Sequence, residues 1–546
     1  MTYKLPATAS SPAITAARRF PLLFFAAVTL FYLSFTPATI EGMGYNSENL
    51  TASDQVITNI FNVARHQPPV PMEWTRHGGL ELIFELPFAF VSRIFFGPSV
   101  KWSGRLLALQ PILATSLLCV LLLVWMRRLS GSWRASYALA VVAAFTTFFW
   151  PYAYIGLETT QSLCLLAVAY LALGRPPRRT WLEAMAFSAL CACALALKLT
   201  GLYLLPAIAY LAFCYFAAPV SQSKGRRAGQ TVTLIAVIIA IFGLNYYLKV
   251  LYWARFPGGS MEYFVNVLVD SPLTVLAQAF SFFGSANKSL LIFAPVVALS
   301  LLRLPQAYRA QPQLVIFALL VLGGLVGGYS LVTVWAEETW GPRYLHSAIA
   351  PLVICLAATK PLGEAYGLKK LILAAALGLL VNLPGALVSY TGLHLAATNS
   401  SRSTLTALQY DPAFNHVRFN YRLLGLWLAA RFGGANQPVP WPPPPAWWFA
   451  KPADAASEKA VDLRQWATPQ SAVLRAWTPA MHSSPRQHLL LRLLLGGCFG
   501  LSMTFFFWLT VLVRREEALV RGHSRLNREG GDSLYKQNLS TETTIP

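Results

Sequence analysis

Long apolar runs separated by short polar stretches set the pattern of this chain. "PLLFFAAVTLFYLSF" from Pro21 and "LLALQPILATSLLCVLLLVW" from Leu106 contain no charged residue, and runs of this kind recur as far as Val513. A helix needs about 20 apolar residues to cross a bilayer's hydrocarbon core. The pattern therefore predicts an all-α polytopic membrane protein with about twelve transmembrane helices. Their expected spans are 21–38, 104–126, 136–152, 161–174, 182–197, 200–217, 230–250, 287–303, 313–334, 345–359, 371–390 and 488–513. Three segments between spans are long: 39–103, 251–286 and 391–487.

The first of these has a pattern of its own. In "TASDQVITNIFNVARH", Ser53 is a helix N-cap candidate, and Ile57, Ile60, Phe61 and Ala64 share one helical face. Asp54 lies three residues before Ile57, so it falls on the same face of a helix lying along the membrane surface. A Pro-rich linker presents Glu73, Arg76 and His77. The second amphipathic run, "LELIFELPFAFVSRIFF", carries Glu81 and Glu85 four apart, which reads as a wetted helix edge.

Charge then supplies an orientation. The formal net charge is +21, with 12% charged residues, where soluble chains carry roughly a quarter. The basic residues cluster between apolar runs, at Arg18-Arg19, Arg127-Arg128, Arg175 with Arg178-Arg179, Arg226-Arg227, Lys369-Lys370 and Arg514-Arg515. Such clusters mark cytoplasmic loops, and with Arg18-Arg19 inside, all of them fall on one side. This distribution argues against nucleic acid as a partner. Both termini are then cytoplasmic, and the first apolar run, without a small-residue cleavage site, reads as a retained anchor. The expected units are a transmembrane module over 1–390 (first outer loop 39–103), an outer segment over 391–487 containing the stiff "VPWPPPPAWW", a last span over 488–513 and a tail over 514–546. All seven cysteines lie in expected spans and show no disulfide or metal spacing.

One boundary gathers polarity. "VWAEETWGPRYLHSAIAPL", Val334 to Leu352, holds two glutamates, an arginine, a histidine and two tryptophans. Trp335, Trp340 and Tyr344 read as interfacial belt residues, and His346 as structural.

Five stretches resemble the GT-C superfamily of glycosyltransferases that use polyprenyl-phosphate sugars. "SDQVITNIFNVA" after the first span is similar to the family's "DDAxIxxRxAxN". "GLETTQSLCLLAVAYLAL" (156–173) resembles "GLETxxxxLLLLLALYL", and "FGSANKSLLIFAPVVALSLL" (283–302) resembles "SPGKGLFLYSPVLLLAL". "WGPRYLHSAIAPLVICLA" (340–357) is similar to "WGPRFLLPLLPLLAL", and "LQYDPAFNHVRFNYRLL" (408–424) to "DPxxSPxxxHLRLL". The stretches keep the family's order and fit its topology. The family's doubled acid stands here as Ser53-Asp54, with Glu48 the substitute carboxylate six residues earlier.

The resemblance implies transfer of a sugar from a polyprenyl-phosphate donor to an envelope glycan, lipid or protein on the outer face of a bacterial inner membrane. Such a reaction needs a base for the attacking hydroxyl and positive charge for the departing phosphate. Asp54 and Glu158 are the catalytic candidates. Arg343, Lys288 and Lys198 are the donor-phosphate candidates, since a guanidinium fork and ammonium groups suit phosphate oxygens. Glu48, Arg76, His77, Glu338, Trp340 and Tyr344 are candidates for substrate contact. The sequence does not disclose a cofactor; a divalent metal is compatible with it but not indicated by it. Membrane lipid and the lipid-linked sugar are the expected partners. A lipid or sugar transporter, or a noncatalytic envelope-assembly scaffold, is the alternative. Against transport stands the scarcity of charge within the spans, because transporters place polar groups near the bilayer midplane.

Overall fold

In a computed structural model the chain folds as helices, described over residues 12–35, 46–70, 79–97, 106–107, 109–154, 156–175, 180–217, 224–253, 268–269, 271–332, 340–359, 365–387, 393, 408–411, 414–431, 440–441, 461–462, 493–515 and 518. In chain order the helices are α1 (Pro12–Ser34), α2 (Asn46–Ala64), α3 (Leu80–Phe96), α4 (Leu109–Ser130), α5 (Trp133–Thr146), α6 (Phe149–Tyr152) and α7 (Gly156–Ala169). There follow α8 (Trp181–Ala196), α9 (Leu205–Ala217), α10 (Lys224–Trp253), α11 (Pro272–Gly284), α12 (Leu290–Phe293), α13 (Pro295–Leu302) and α14 (Leu304–Ala310). The last are α15 (Pro312–Ser330), α16 (His346–Ala357), α17 (Ala365–Leu387), α18 (His416–Arg431) and α19 (Leu493–Arg515). A two-residue antiparallel pairing joins Pro440–Trp441 to Val461–Asp462.

Six of these helical stretches are long and apolar enough to cross a membrane: 109–130, 200–217, 228–251, 312–330, 367–387 and 493–515. Shorter apolar helices occupy 19–34, 181–196, 272–284 and 343–357. The chain is an all-α polytopic membrane protein. Two expected spans are broken. The span at 136–152 stops at Thr147, whose hydroxyl donates to the Ala143 carbonyl at 2.7 Å and accepts from the Phe149 N–H at 3.2 Å. The one at 287–303 breaks at Ala294, held at φ −141° before Pro295, because the proline ring disfavours helical geometry in the residue before it.

Local chemistry sets other boundaries. Ser132 and Thr180 cap α5 and α8 by accepting from the N–H groups of Ala135 and Glu183, and prolines open α11, α13 and α15, where no backbone donor is lost. Helix α2 begins at Asn46, so Ser53 is an interior residue rather than its cap. On that helix Ile57 is buried with Ala89 and Leu107, and the Phe61 ring stacks on Phe90 at 5.9 Å, while Ile60 and Ala64 are exposed. Part of the segment expected outside the spans, 272–284, is an apolar helix with Leu273, Leu276 and Phe280 on its outer face.

Packing brings the elements with the polar residues together. Helix α7 lies between α4, α8 and α16; α10 runs along α8; α15 packs on α9 and α16; α17 packs on α5, α13 and α18. One continuous apolar core joins α1 to the α15–α17 layer. With no hydrophobic drive between helices in lipid, such packing rests on close side-chain contact and buried hydrogen bonds.

Candidate active site

Three charges meet at the start of α7. Glu158 lies in its first turn and is buried. Its Oε1 accepts from Lys198 Nζ at 2.8 Å and lies 3.1 Å from Arg343 Nε. Lys198 is the extended residue between α8 and the 3-10 turn Leu199–Leu204. Arg343 opens the 3-10 turn Arg343–Leu345 that leads into α16. The three residues come from distant parts of the sequence and are all buried. Two cations to one carboxylate leave this trio with an excess positive charge. Burial alone would raise the Glu158 pKa, but Arg343 and then Lys198 outweigh it and hold the carboxyl below the usual carboxylate range. An acid that stays ionised serves to hold its cations in place, whereas a general base works best with a pKa near the operating pH.

Aromatic rings floor the trio. Lys198 Nζ stands 4.1 Å and Arg343 Cζ 4.9 Å from the Tyr344 ring centroid, a cation–π arrangement strengthened by desolvation. Tyr344 in turn stacks on Tyr329 at 4.3 Å, and the Tyr329 hydroxyl donates to Thr200 Oγ1 at 2.6 Å.

The turn "WGPR" is pinned from several sides. The Trp340 carbonyl accepts from the Tyr152 hydroxyl at 2.8 Å, and its indole N–H donates to Asn382 Oδ1 at 3.1 Å. Gly341 has φ +56°, and a Cβ there would stand 2.7 Å from the Phe293 ring, so both backbone hand and space require glycine. Trp340 and Tyr344 are buried. That corrects their reading as belt residues: the turn folds inward against α17 and α15 instead of resting at the headgroups. His346 is buried as well, with Nδ1 at 2.7 Å from Ser162 Oγ, which also lies 2.9 Å from Ser347 Oγ.

A second polar group adjoins the first. Glu81 and Glu85 on α3 are 2% and 3% exposed, which overturns the reading of a wetted edge. They turn toward Gly156, where a Cβ would lie 2.9 Å from Glu81 Oε1, 3.0 Å from Gln110 Oε1 and 3.9 Å from Glu85 Oε1. Gln110 donates to Thr160 Oγ1 at 2.7 Å. From α10, Asn245 accepts from the Leu80 N–H at 2.8 Å, and both Asn245 and Lys249 donate to the Ala196 carbonyl, two residues before Lys198. Sequence reasoning passed over Lys249, Asn245 and Gln110. The available signal was a lysine inside an otherwise apolar span, which is costly unless it faces a polar interior.

Lys288 is buried in the turn before α12, beside His416 at the start of α18. Hydrogen bonds fasten this junction: Ser285 Oγ donates to the Gln409 carbonyl at 2.5 Å, and Asn287 and Asn415 side chains donate to the Asp411 and Ala286 carbonyls at 2.8 and 2.9 Å. Asp54 and Glu48 lie on α2, but their side chains are outside the described residues, as are Glu73, Arg76, His77, Trp335, Glu337 and Glu338. Among the described residues no group of three or more His, Cys, Asp or Glu side chains gathers as a metal site.

No family model matches the chain, and no curated protein matches it. Among solved structures it is similar to ArnT from Cupriavidus metallidurans in the apo state, with TM-score 0.41 and 15% identity over 92% of this chain and 76% of that one. The same protein bound to undecaprenyl phosphate matches with TM-score 0.41 and 15% identity, over 93% and 77%. The archaeal oligosaccharyltransferase AglB from Archaeoglobus fulgidus, in complex with an inhibitory peptide and a dolichol-phosphate, matches with TM-score 0.38 and 12% identity, over 70% and 58%. At these scores and identities the likenesses assign neither a residue nor an activity.

Proposed function

We propose that this chain is an integral-membrane glycosyltransferase of the GT-C kind, moving a sugar from a polyprenyl-phosphate donor to an envelope acceptor. The observation that carries the reading is the buried Glu158–Lys198–Arg343 trio, seated on Tyr344 at the ends of apolar helices. A lipid-linked phosphate keeps its tail in the hydrocarbon and its head at the surface, where these ends lie. The "GLET" and "WGPR" stretches that resemble the family contribute two of the three charges.

In the proposed reaction an acceptor hydroxyl attacks the anomeric carbon. The bond from that carbon to the phosphate oxygen breaks, and its electron pair leaves with polyprenyl phosphate. Arg343 and Lys198 face the charge that grows on the leaving oxygen, and fixed cations in a water-poor setting stabilise it without reorganising. Glu158 keeps both cations aimed. Asp54 on α2 is the proposed proton acceptor, with Glu48 the substitute. Glu81, Glu85 and Lys249 extend the polar lining. We place the site on the outer face of a bacterial inner membrane, with both termini cytoplasmic, and assign acceptor choice to 391–487.

The test is to incubate purified protein with a labelled polyprenyl-phosphate sugar and follow release of polyprenyl phosphate. The enzyme releases it; a transporter or scaffold does not, and absence of release with every acceptor class would sink the reading. Arg343→Ala is expected to abolish release while the protein remains inserted and folded. Full activity in that variant would remove Arg343 from the mechanism.

A further inference from the structure

A cleft opens at the opposite end of α16 from Arg343, between α13, α16 and α17. Its lining includes Arg303, Lys370, Thr359, Leu299, Leu302 and Leu356. The helical rise of 1.5 Å per residue puts Thr359 roughly 25 Å from Arg343 along this element, comparable with the ~30 Å hydrocarbon core. The cleft and the trio therefore lie at opposite ends of α16.

Both charged residues of the lining, Arg303 and Lys370, are cations. Arg303 closes α13 and is steadied by Nη1 donating to Gln306 Oε1 at 2.8 Å. The walls are leucine, and Leu302, 76% exposed, carries the apolar surface outward. A soluble anion would gain from the cations and nothing from the leucines. A ligand with an anionic head and hydrocarbon chains would use both, and basic pockets between transmembrane helices hold such headgroups.

We propose that Arg303 and Lys370 bind the phosphate headgroup of an anionic membrane lipid, whose chains run along Leu302 in the leaflet opposite the Arg343 site. The site is independent of the sugar-transfer reading. Snorkelling of the two cations into the headgroup layer without a bound lipid is the competing outcome.

The test uses the full chain in detergent with added phosphatidylglycerol or phosphatidylcholine, scoring retained lipid by native mass spectrometry. Wild type is expected to retain phosphatidylglycerol in preference. The double variant Arg303→Gln/Lys370→Gln should lose about tenfold or more of that retention, since each cation near a headgroup contributes measurably. The control Arg514→Gln/Arg515→Gln, at the exposed end of α19, should retain it. Equal retention by wild type and the double variant overturns the proposal, as does an equal loss in the control. Displacement of the lipid by inorganic phosphate at matched concentration also overturns it, by showing a soluble-anion site. Should the double variant fail to fold, each single variant carries the test and must show a several-fold loss.

Discussion

Glu158 holds two cations that would otherwise repel one another in a buried site, and its removal reports on that arrangement. Glu158→Gln leaves Lys198 and Arg343 without the charge between them. Breaking a buried ion pair by deleting one partner costs about 3–5 kcal/mol. We expect a clear fall in the thermal midpoint together with loss of polyprenyl-phosphate release; an unchanged midpoint would show that the trio is not coupled. The pH dependence has a definite sign. Because the folded carboxyl titrates below its ordinary range, the stability it contributes is fully present above that range. It is lost only as pH falls through the depressed folded value. As pH falls from neutral through the ordinary carboxylate range toward the depressed folded value, the stability difference between wild type and Glu158→Gln should shrink by chemical denaturation. A difference that stays constant there would contradict the ionised assignment.

Among the elements, the "WGPR" turn and helix α18 each make contacts that single substitutions can reach. A Cβ at Gly385 of α17 would run into the Trp340 indole. Gly385→Ala should therefore destabilise by about 1–3 kcal/mol through overpacking. Trp340 would be displaced in the process, a change followed by thermal unfolding and tryptophan emission. Wild-type stability would mean that α17 yields to the methyl group. Helix α18 is tied through Asn415 to Ala286 and Asn287. Removing those bonds in Asn415→Ala should cost about 1–2 kcal/mol and speed proteolytic cleavage around 408–431, without altering the α4–α7 packing. The same elements show where linear reading stops. The four-residue spacing of Glu81 and Glu85 was plain in the sequence. Their burial was not, because period gives a face and only the neighbours α4 and α7 decide whether that face meets water. The break at Thr147 depended on a hydroxyl returning to its own helix, a local competition invisible in an apolar run.

At the scale of the molecule, helices separated by hundreds of residues in the chain close one polar site at the edge of an apolar core. Hydrocarbon explains why the sequence revealed so much of this. A bilayer requires every backbone donor and acceptor to be satisfied within the segment, so uncharged runs bounded by basic clusters determined a multi-span helical protein before any packing was known. The resemblance of "GLET" and "WGPR" to the family singled out Glu158 and Arg343, and the place of Lys198 near the end of an expected span added the third charge. Only the tertiary structure decided that these three touch, that Tyr344 lies beneath them, and that Lys249, Asn245 and Gln110 adjoin them. It also turned Trp340 inward and set Lys288 against His416. Membrane insertion depends on summed transfer free energy along the chain and is blind to rotation about a helix axis. Which polar residues converge depends on helix crossing and side-chain contact, and these are fixed only when the helices pack.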